Sequence, residues 1–243
     1  LKTNEDGSDL ARAIAELFQI LNTAPDNRFK NLDESLAAFP YVNGKLFEEN
    51  LPLASFDSEM RKILLDSCLL DWGKISPAIF GSLFQSVMDE KARRNLGAHY
   101  TSEKNILKLI KPLFLDDLWT EIEKAKANIN VLKKLHDKIS KLRFLDPACG
   151  CGNFLIIAYR ELRLLEIEIV KVILKNQGVT SINDYFLIDV DRVYGIEYEE
   201  FPAQIAQVAM WLIDHQMNML ASETFGEYYV RLPLRKSATI KNG

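Results

Sequence analysis

Arg143-Phe-Leu-Asp-Pro-Ala-Cys-Gly-Cys-Gly-Asn-Phe-Leu155 passes from a short apolar run through a glycine turn into a long amphipathic segment. Strand, glycine turn and helix, in that order, are how α/β folds bring backbone close to a nucleotide-like ligand. Asp146 stands where the strand ends, and Gly150 and Gly152 present no side chain to an approaching ligand. Three ligand classes use such turns, and a plain connection that holds nothing is a fourth reading. A phosphate-cradling loop needs a lysine after its last glycine, whereas Asn153 follows Gly152. A dinucleotide turn needs a third glycine, and Leu155 occupies its position. What remains is a turn of the kind that wraps S-adenosylmethionine, beside the ligand-free connection.

Val193-Tyr-Gly-Ile-Glu197 reads as a second strand ending in an acid. In nucleotide-binding units a carboxylate there accepts hydrogen bonds from ribose hydroxyls. Tyr198 is placed to cover an adenine face. Glu197 also reads as a surface acid of the patch Glu197-Tyr-Glu-Glu200. Its distance from the turn exceeds the usual ~20 residues. A long helix from Phe154 to near Lys175 and an insertion over Gln177–Asp191 are expected to fill the gap. Upstream, Gly97-Ala-His-Tyr-Thr-Ser102 leads into Glu103 and the apolar-periodic run Ile106–Phe114. Thr101 or Ser102 suits a helix N-cap, and the free N–H groups there suit a carboxylate such as a methionine tail; ordinary capping is the alternative.

Together, Gly-Ala-His-Tyr-Thr-Ser (97–102), Asp-Pro-Ala-Cys-Gly-Cys-Gly-Asn-Phe (146–154) and Tyr-Gly-Ile-Glu (194–197) resemble the gamma-class DNA adenine methyltransferases. The chain is most similar to their MmeI-like branch, in which methylation and restriction share one polypeptide. Phe39–Phe47, Asp71–Gln85, Phe201–Ala206 and Asp214–Asn218 are similar to that branch as well. The resemblance implies an α/β fold: an N-terminal helical spacer (1–88), then the first half of a Rossmann-like methyltransferase domain (89–243). It implies transfer of a methyl group from S-adenosylmethionine to adenine-N6 in DNA by the intact enzyme. His99, Tyr100 and Thr101 would lie at the methionine end of the cofactor. Asp146, Ala148, Cys149, Gly150, Gly152 and Asn153 would line its amino-acid portion, with Glu197 on the ribose and Tyr198 beside the adenine. Cys151 stands where the family carries serine or threonine, and a thiol is the weaker hydrogen-bond partner.

The family's Asn/Asp-Pro-Pro-Phe/Tyr, which holds the amino group of a flipped adenine, occurs nowhere in the sequence. No catalytic residue is therefore assigned, and this stretch by itself is expected to be inactive. The sequence starts at Leu1 and ends near the expected third strand, as an excised segment would. A non-catalytic scaffold that has lost cofactor binding is the alternative.

Composition sets bounds. An apolar content of 48% and a charged content of 26% fit a soluble globular chain. There is no apolar run of the ~20 residues a membrane span needs. A net charge of −4 predicts that DNA is met mainly through parts outside this stretch. Lys91-Ala-Arg-Arg94 reads as a solvated helix end, although it could touch phosphates. Three cysteines suit a reducing cytoplasm, and His99, His136 and His215 form no metal-binding pattern with Cys149 and Cys151. Helices are expected at Leu10–Leu21, Leu32–Phe39, Met60–Trp72, Pro77–Met88, Ile106–Trp119, Glu121–Leu135 and Ala203–Met219. The tail from Ala221 is expected to be poorly ordered.

Overall fold

Apolar residues three and four apart make Leu10–Leu21 a helix, α1, with Leu10 and Ile20 buried. The computed structural model describes residues 3–41, 47, 52, 54–87, 101–177, 182–226 and 238–242. Its chain divides into two units, one built mainly from residues up to Trp72 and one from Gly73 onward. In the first, α1 is followed by α2 (Glu34–Ala37) and α3 (Ser58–Cys68). Asp33 and Asp57 cap these helices, their carboxylates accepting from Ser35 N–H and Met60 N–H. Those caps start α2 and α3 at other residues than apolar spacing alone indicated. The Arg28 guanidinium donates to the carbonyls of Ile20, Thr23, Ala37 and Phe39, closing the C-terminal ends of α1 and α2 together.

The second unit runs α4 (Ile79–Val87), α5 (Glu103–Ile110), α6 (Asp116–Ala125), α7 (Ile129–Ser140), β1 (Phe144–Asp146), α8 (Asn153–Gln177), β2 (Val193–Glu197), α9 (Glu200–Phe225) and β3 (Thr239–Asn242). The domain boundary expected at 88/89 lies outside the described residues. α4 belongs to the second unit, where Gln216 of α9 donates to Ile75 O at 2.7 Å.

Two expected helices are divided differently. Pro112 has no N–H for the Lys108 carbonyl, and a π turn over Lys111–Leu115 replaces regular helix, Asp116 N–H reaching back to Lys111 O. Further on, the Asn128 side chain accepts from Asn130 N–H and Val131 N–H and starts α7, so Glu121–Leu135 is two helices rather than one. Of the tail, residues 227–237 and 243 lie outside the described residues, and the described ones differ from expectation. α9 continues to Phe225, where Gly226 at φ 65° ends it in the left-handed conformation, and Thr239–Asn242 is an ordered strand.

The three strands are parallel in the order β1-β2-β3, with Phe144 opposite Val193 and Tyr194 opposite Thr239. Alternation along the strands sends Val193, Gly195 and Ile240 toward α8 and α9. Leu145 and Ile196 point to the other face and stay 62% and 41% exposed. Helices on one face of a parallel sheet, joined through a glycine turn, are the architecture expected of half a Rossmann-like fold. The core lies between that face and the helices, and Ile156, Leu165, Ile169, Ala206 and Met210 at its centre are almost fully buried. Among the described residues, no helix is long and apolar enough to cross a membrane.

Candidate functional site

The glycine turn is held by hydrogen bonds within its own backbone and to β2. Asp146 ends β1 and accepts from Ala148 N–H at 3.1 Å. Cys149 N–H then donates to Ile196 O at 3.0 Å, and Gly152 N–H to Cys149 O at 2.8 Å. Gly150 and Gly152 hold φ of 53° and 81°, values that disfavour any side chain. Their surroundings differ. A β-carbon on Gly150 would meet nothing within 4 Å, whereas one on Gly152 would sit 3.0 Å from Ala206 Cβ. Gly150 therefore faces open space, and Gly152 lets α9 approach the turn.

Glu197 joins the second motif to the first. Its carboxylate accepts from Gly150 N–H at 2.8 Å and from Glu199 N–H at 3.0 Å, one oxygen for each. An ionised carboxylate only accepts, so Glu197 is chemically suited to hydroxyl donors of a ligand as it is to these N–H groups. Asp146, Ala148, Cys149, Gly150, Gly152 and Glu197 are thus brought together. Asn153 opens α8 with its side-chain oxygen buried and without a hydrogen-bond partner, beside the α-carbon of Gly81. Tyr198 follows Glu197 but is 78% exposed. Thr101 is half-buried ahead of α5, whose Glu103 pairs with Arg160 of α8 at 2.7 Å. Ser102 occupies the N-cap of α5 without a side-chain bond to it. His99 and Tyr100 lie outside the described residues. Among those described, no group of acids, histidines and cysteines could hold a metal ion.

Both cysteines of the turn are buried. Loss of solvation, with the charges of Asp146 and Glu197 adding to it, pushes the Cys149 thiol up to about 12. Burial first, then Glu197, pushes Cys151 up to about 11. Both are neutral thiols at physiological pH, and Cys68, which is exposed, is the accessible one. One thiol per native chain should therefore react promptly with Ellman's reagent at pH 8, and three after denaturation. Prompt reaction of a second native thiol would contradict that burial. The raised values also set a pH dependence. The unfolded chain loses these protons from the ordinary 9.0 upward and the folded chain does not, so stability declines as pH climbs from 9.0 toward about 12.

The quoted motifs contain Gly195, Asp214 and Asn218 but give no sign of what these residues meet, nor of the rest of a buried polar cluster. Gly195 lets β2 pass the turn: a β-carbon there would be 2.7 Å from Cys149 Sγ and 2.8 Å from Ile240 Cδ1. The cluster lies farther along α8. Fully buried Glu166 accepts through Oε1 from His136 (3.1 Å), Leu187 N–H (2.6 Å) and Ile188 N–H (2.8 Å). Its Oε2 is 3.3 Å from Nη1 of Arg163, equally buried. Arg163 donates to Ile188 O and to Asn218 of α9, both at 2.9 Å, and lies 5.0 Å over the Phe186 ring. Asn218 donates to Asp214, which also accepts from Tyr159 at 2.6 Å. These bonds fasten the segment leading into β2 against α7, α8 and α9, and so place the strand that carries Glu197.

Two family models match the chain. Residues 122–243 match "MmeI, DNA-methyltransferase domain", and residues 1–47 match "MmeI, helicase spacer domain". A curated relative, DNA methyltransferase A of Bacillus subtilis, is 41% identical over 98% of the chain and 27% of its own length. A solved structure of the type IIL restriction-modification enzyme MmeI, in complex with DNA, superposes with a TM-score of 0.94 at 64% identity. That match covers 99% of this chain and 32% of the MmeI chain. The sequence thus spans between a quarter and a third of these relatives' length.

Proposed function

This chain belongs to the MmeI DNA-methyltransferase family, and on that premise we propose that its second unit forms the cofactor-holding half of an S-adenosylmethionine-dependent DNA adenine-N6 methyltransferase within a combined restriction–modification enzyme. Residues 89–243 supply the first part of that domain, and residues 1–88 serve as the helical spacer. DNA is the substrate and partner of the whole enzyme. The observation that carries the reading is the open face of Gly150, fixed beside the Glu197 carboxylate by a 2.8 Å hydrogen bond.

The donor set fits the cofactor. Glu197 is an acceptor of the kind ribose hydroxyls need, and Tyr198 presents an exposed ring beside it for the adenine. Asp146 and the backbone from Ala148 to Gly152 border the opening, with Cys149 and Asn153 supporting the turn from within. His99, Tyr100 and Thr101 would face the methionine end. The carboxylates of Asp146 and Glu197 complement a ligand that carries an ammonium and a sulfonium. Bound there, the cofactor supplies an electrophilic methyl group, and the chain's own residues bind and orient it.

Calorimetric titration of the chain with S-adenosylmethionine and with its demethylated product tests this. Weak but measurable binding is expected, reduced at least about tenfold in Asp146→Ala, a change of ~1.4 kcal/mol. Absence of heat at millimolar ligand would overturn the reading in favour of a scaffold that holds no cofactor. The chain by itself should incorporate no labelled methyl group into DNA, because nothing in its sequence matches the Asn/Asp-Pro-Pro-Phe/Tyr that holds the adenine amine. Measurable incorporation would refute that part.

A further inference from the structure

Lys104, Lys108 and Lys111 follow one another at helical spacing along α5 and into the π turn, so their side chains leave the same face. With Glu103 and Leu107 they line a groove of about 460 Å³. Its single carboxylate is already engaged, since Glu103 pairs with Arg160 of α8 at 2.7 Å. All three lysines are exposed, and among the described residues none of them is ion-paired. On the neighbouring helices Lys126, Lys138 and Lys141 each have a carboxylate within 3.0 Å, while Lys124, Lys133 and Lys134 are exposed and have no ion pair among the described residues. The groove is therefore a concentrated cationic strip on a chain whose net charge is −4.

We propose that the α5 groove is a docking surface for the phosphodiester backbone of duplex DNA, with Lys104, Lys108 and Lys111 each meeting a phosphate. This rests on the reading that the chain works on DNA, and it goes beyond that reading by assigning a DNA-binding role to residues outside the cofactor pocket. The helix holds the three ammonium groups in a row along a concave surface, and an extended polyanion matches a row better than a point charge does. Such phosphate-binding groups position DNA and carry no sequence information. The strip therefore binds any duplex alike and leaves target choice to other parts of the enzyme.

Fluorescence anisotropy of the full chain with a labelled duplex, measured over a salt series, tests the proposal. The variant Lys104→Gln/Lys108→Gln/Lys111→Gln should bind at least about tenfold more weakly, and the slope of log K against log salt should fall by roughly 3, one for each phosphate no longer neutralised. A charge-matched control, Lys124→Gln/Lys133→Gln/Lys134→Gln on α6 and α7, should keep the parent slope. Equal effects in the two variants, no effect in either, or no duplex binding by the parent chain would each overturn the proposal. So would displacement of the duplex by inorganic phosphate at constant ionic strength, which would mark a site for a small anion. Calorimetry with S-adenosylmethionine on the same variant separates the two levels. Retained cofactor heat with an unchanged salt slope refutes the groove alone, and absent heat in parent and variant refutes the cofactor reading.

Discussion

Arg163→Met is expected to lower the unfolding free energy by about 3–5 kcal/mol, because it leaves the buried Glu166 carboxylate without its cation. The whole stability of a domain is only about 5–15 kcal/mol, so the variant should unfold at much lower urea or be recovered largely insoluble. Lys138→Met is the comparison. Lys138 pairs with Glu121 at 2.8 Å, but the two side chains are 57% and 45% exposed and water screens the pair. About 1 kcal/mol or less is expected there. Urea denaturation followed by circular dichroism reads both. Equal losses in the two variants would show that the buried cluster contributes no more than a surface ion pair.

The second large effect separates the two glycines of the turn. Gly150→Leu must adopt the left-handed φ of 53° and otherwise meets open space, so about 1–2 kcal/mol of stability is expected to go. Its side chain would fill the opening, and affinity for S-adenosylmethionine should fall at least about a hundredfold, or ~2.7 kcal/mol. Gly152→Ala inverts the pattern. At φ 81° with Ala206 Cβ only 3.0 Å away, even a methyl group makes α9 give way slightly at the turn. A stability loss of about 2–4 kcal/mol follows from backbone strain and overpacking together. Thermal melts and calorimetry on the pair decide the matter. A Gly150→Leu chain that binds cofactor like the parent would remove Gly150 from the site.

The features legible in the sequence are those written in consecutive residues. The turn at Asp146–Gly152, the strand on each side of the long helix and the acid ending β2 are all local patterns, and each stands where the pattern put it. Pro112 and Asn128 were equally local. Apolar periodicity ran straight through both, and the missing N–H of one and the capping side chain of the other outweighed it. What could not be read are the meetings of residues far apart. Arg163 meets Asn218 across 55 positions and Glu166 meets His136 across 30, and in a linear reading each is one charged or polar residue on an amphipathic helix. Gly195 belongs with them, since a glycine in a strand gives no sign that Cys149 and Ile240 press against its α-carbon. Burial also came from outside the pattern: Cys149 and Cys151 look like any pair two apart until the fold covers them.

The hydrogen bond between Gly150 and Glu197 closes a circuit of 47 residues, a long separation to bring together during folding. Glu166 divides that circuit, because its bonds to Leu187 and Ile188 close the return segment onto α8 over 21 and 22 residues. Closing a circuit in two shorter steps loses less chain entropy at each step than closing it once. Refolding of Glu166→Gln should then be slower than that of the parent at matched stability, with the opening beside Gly150 the last part of the unit to take shape. A side chain well away from that opening would thus govern how soon after synthesis the protein is ready to work.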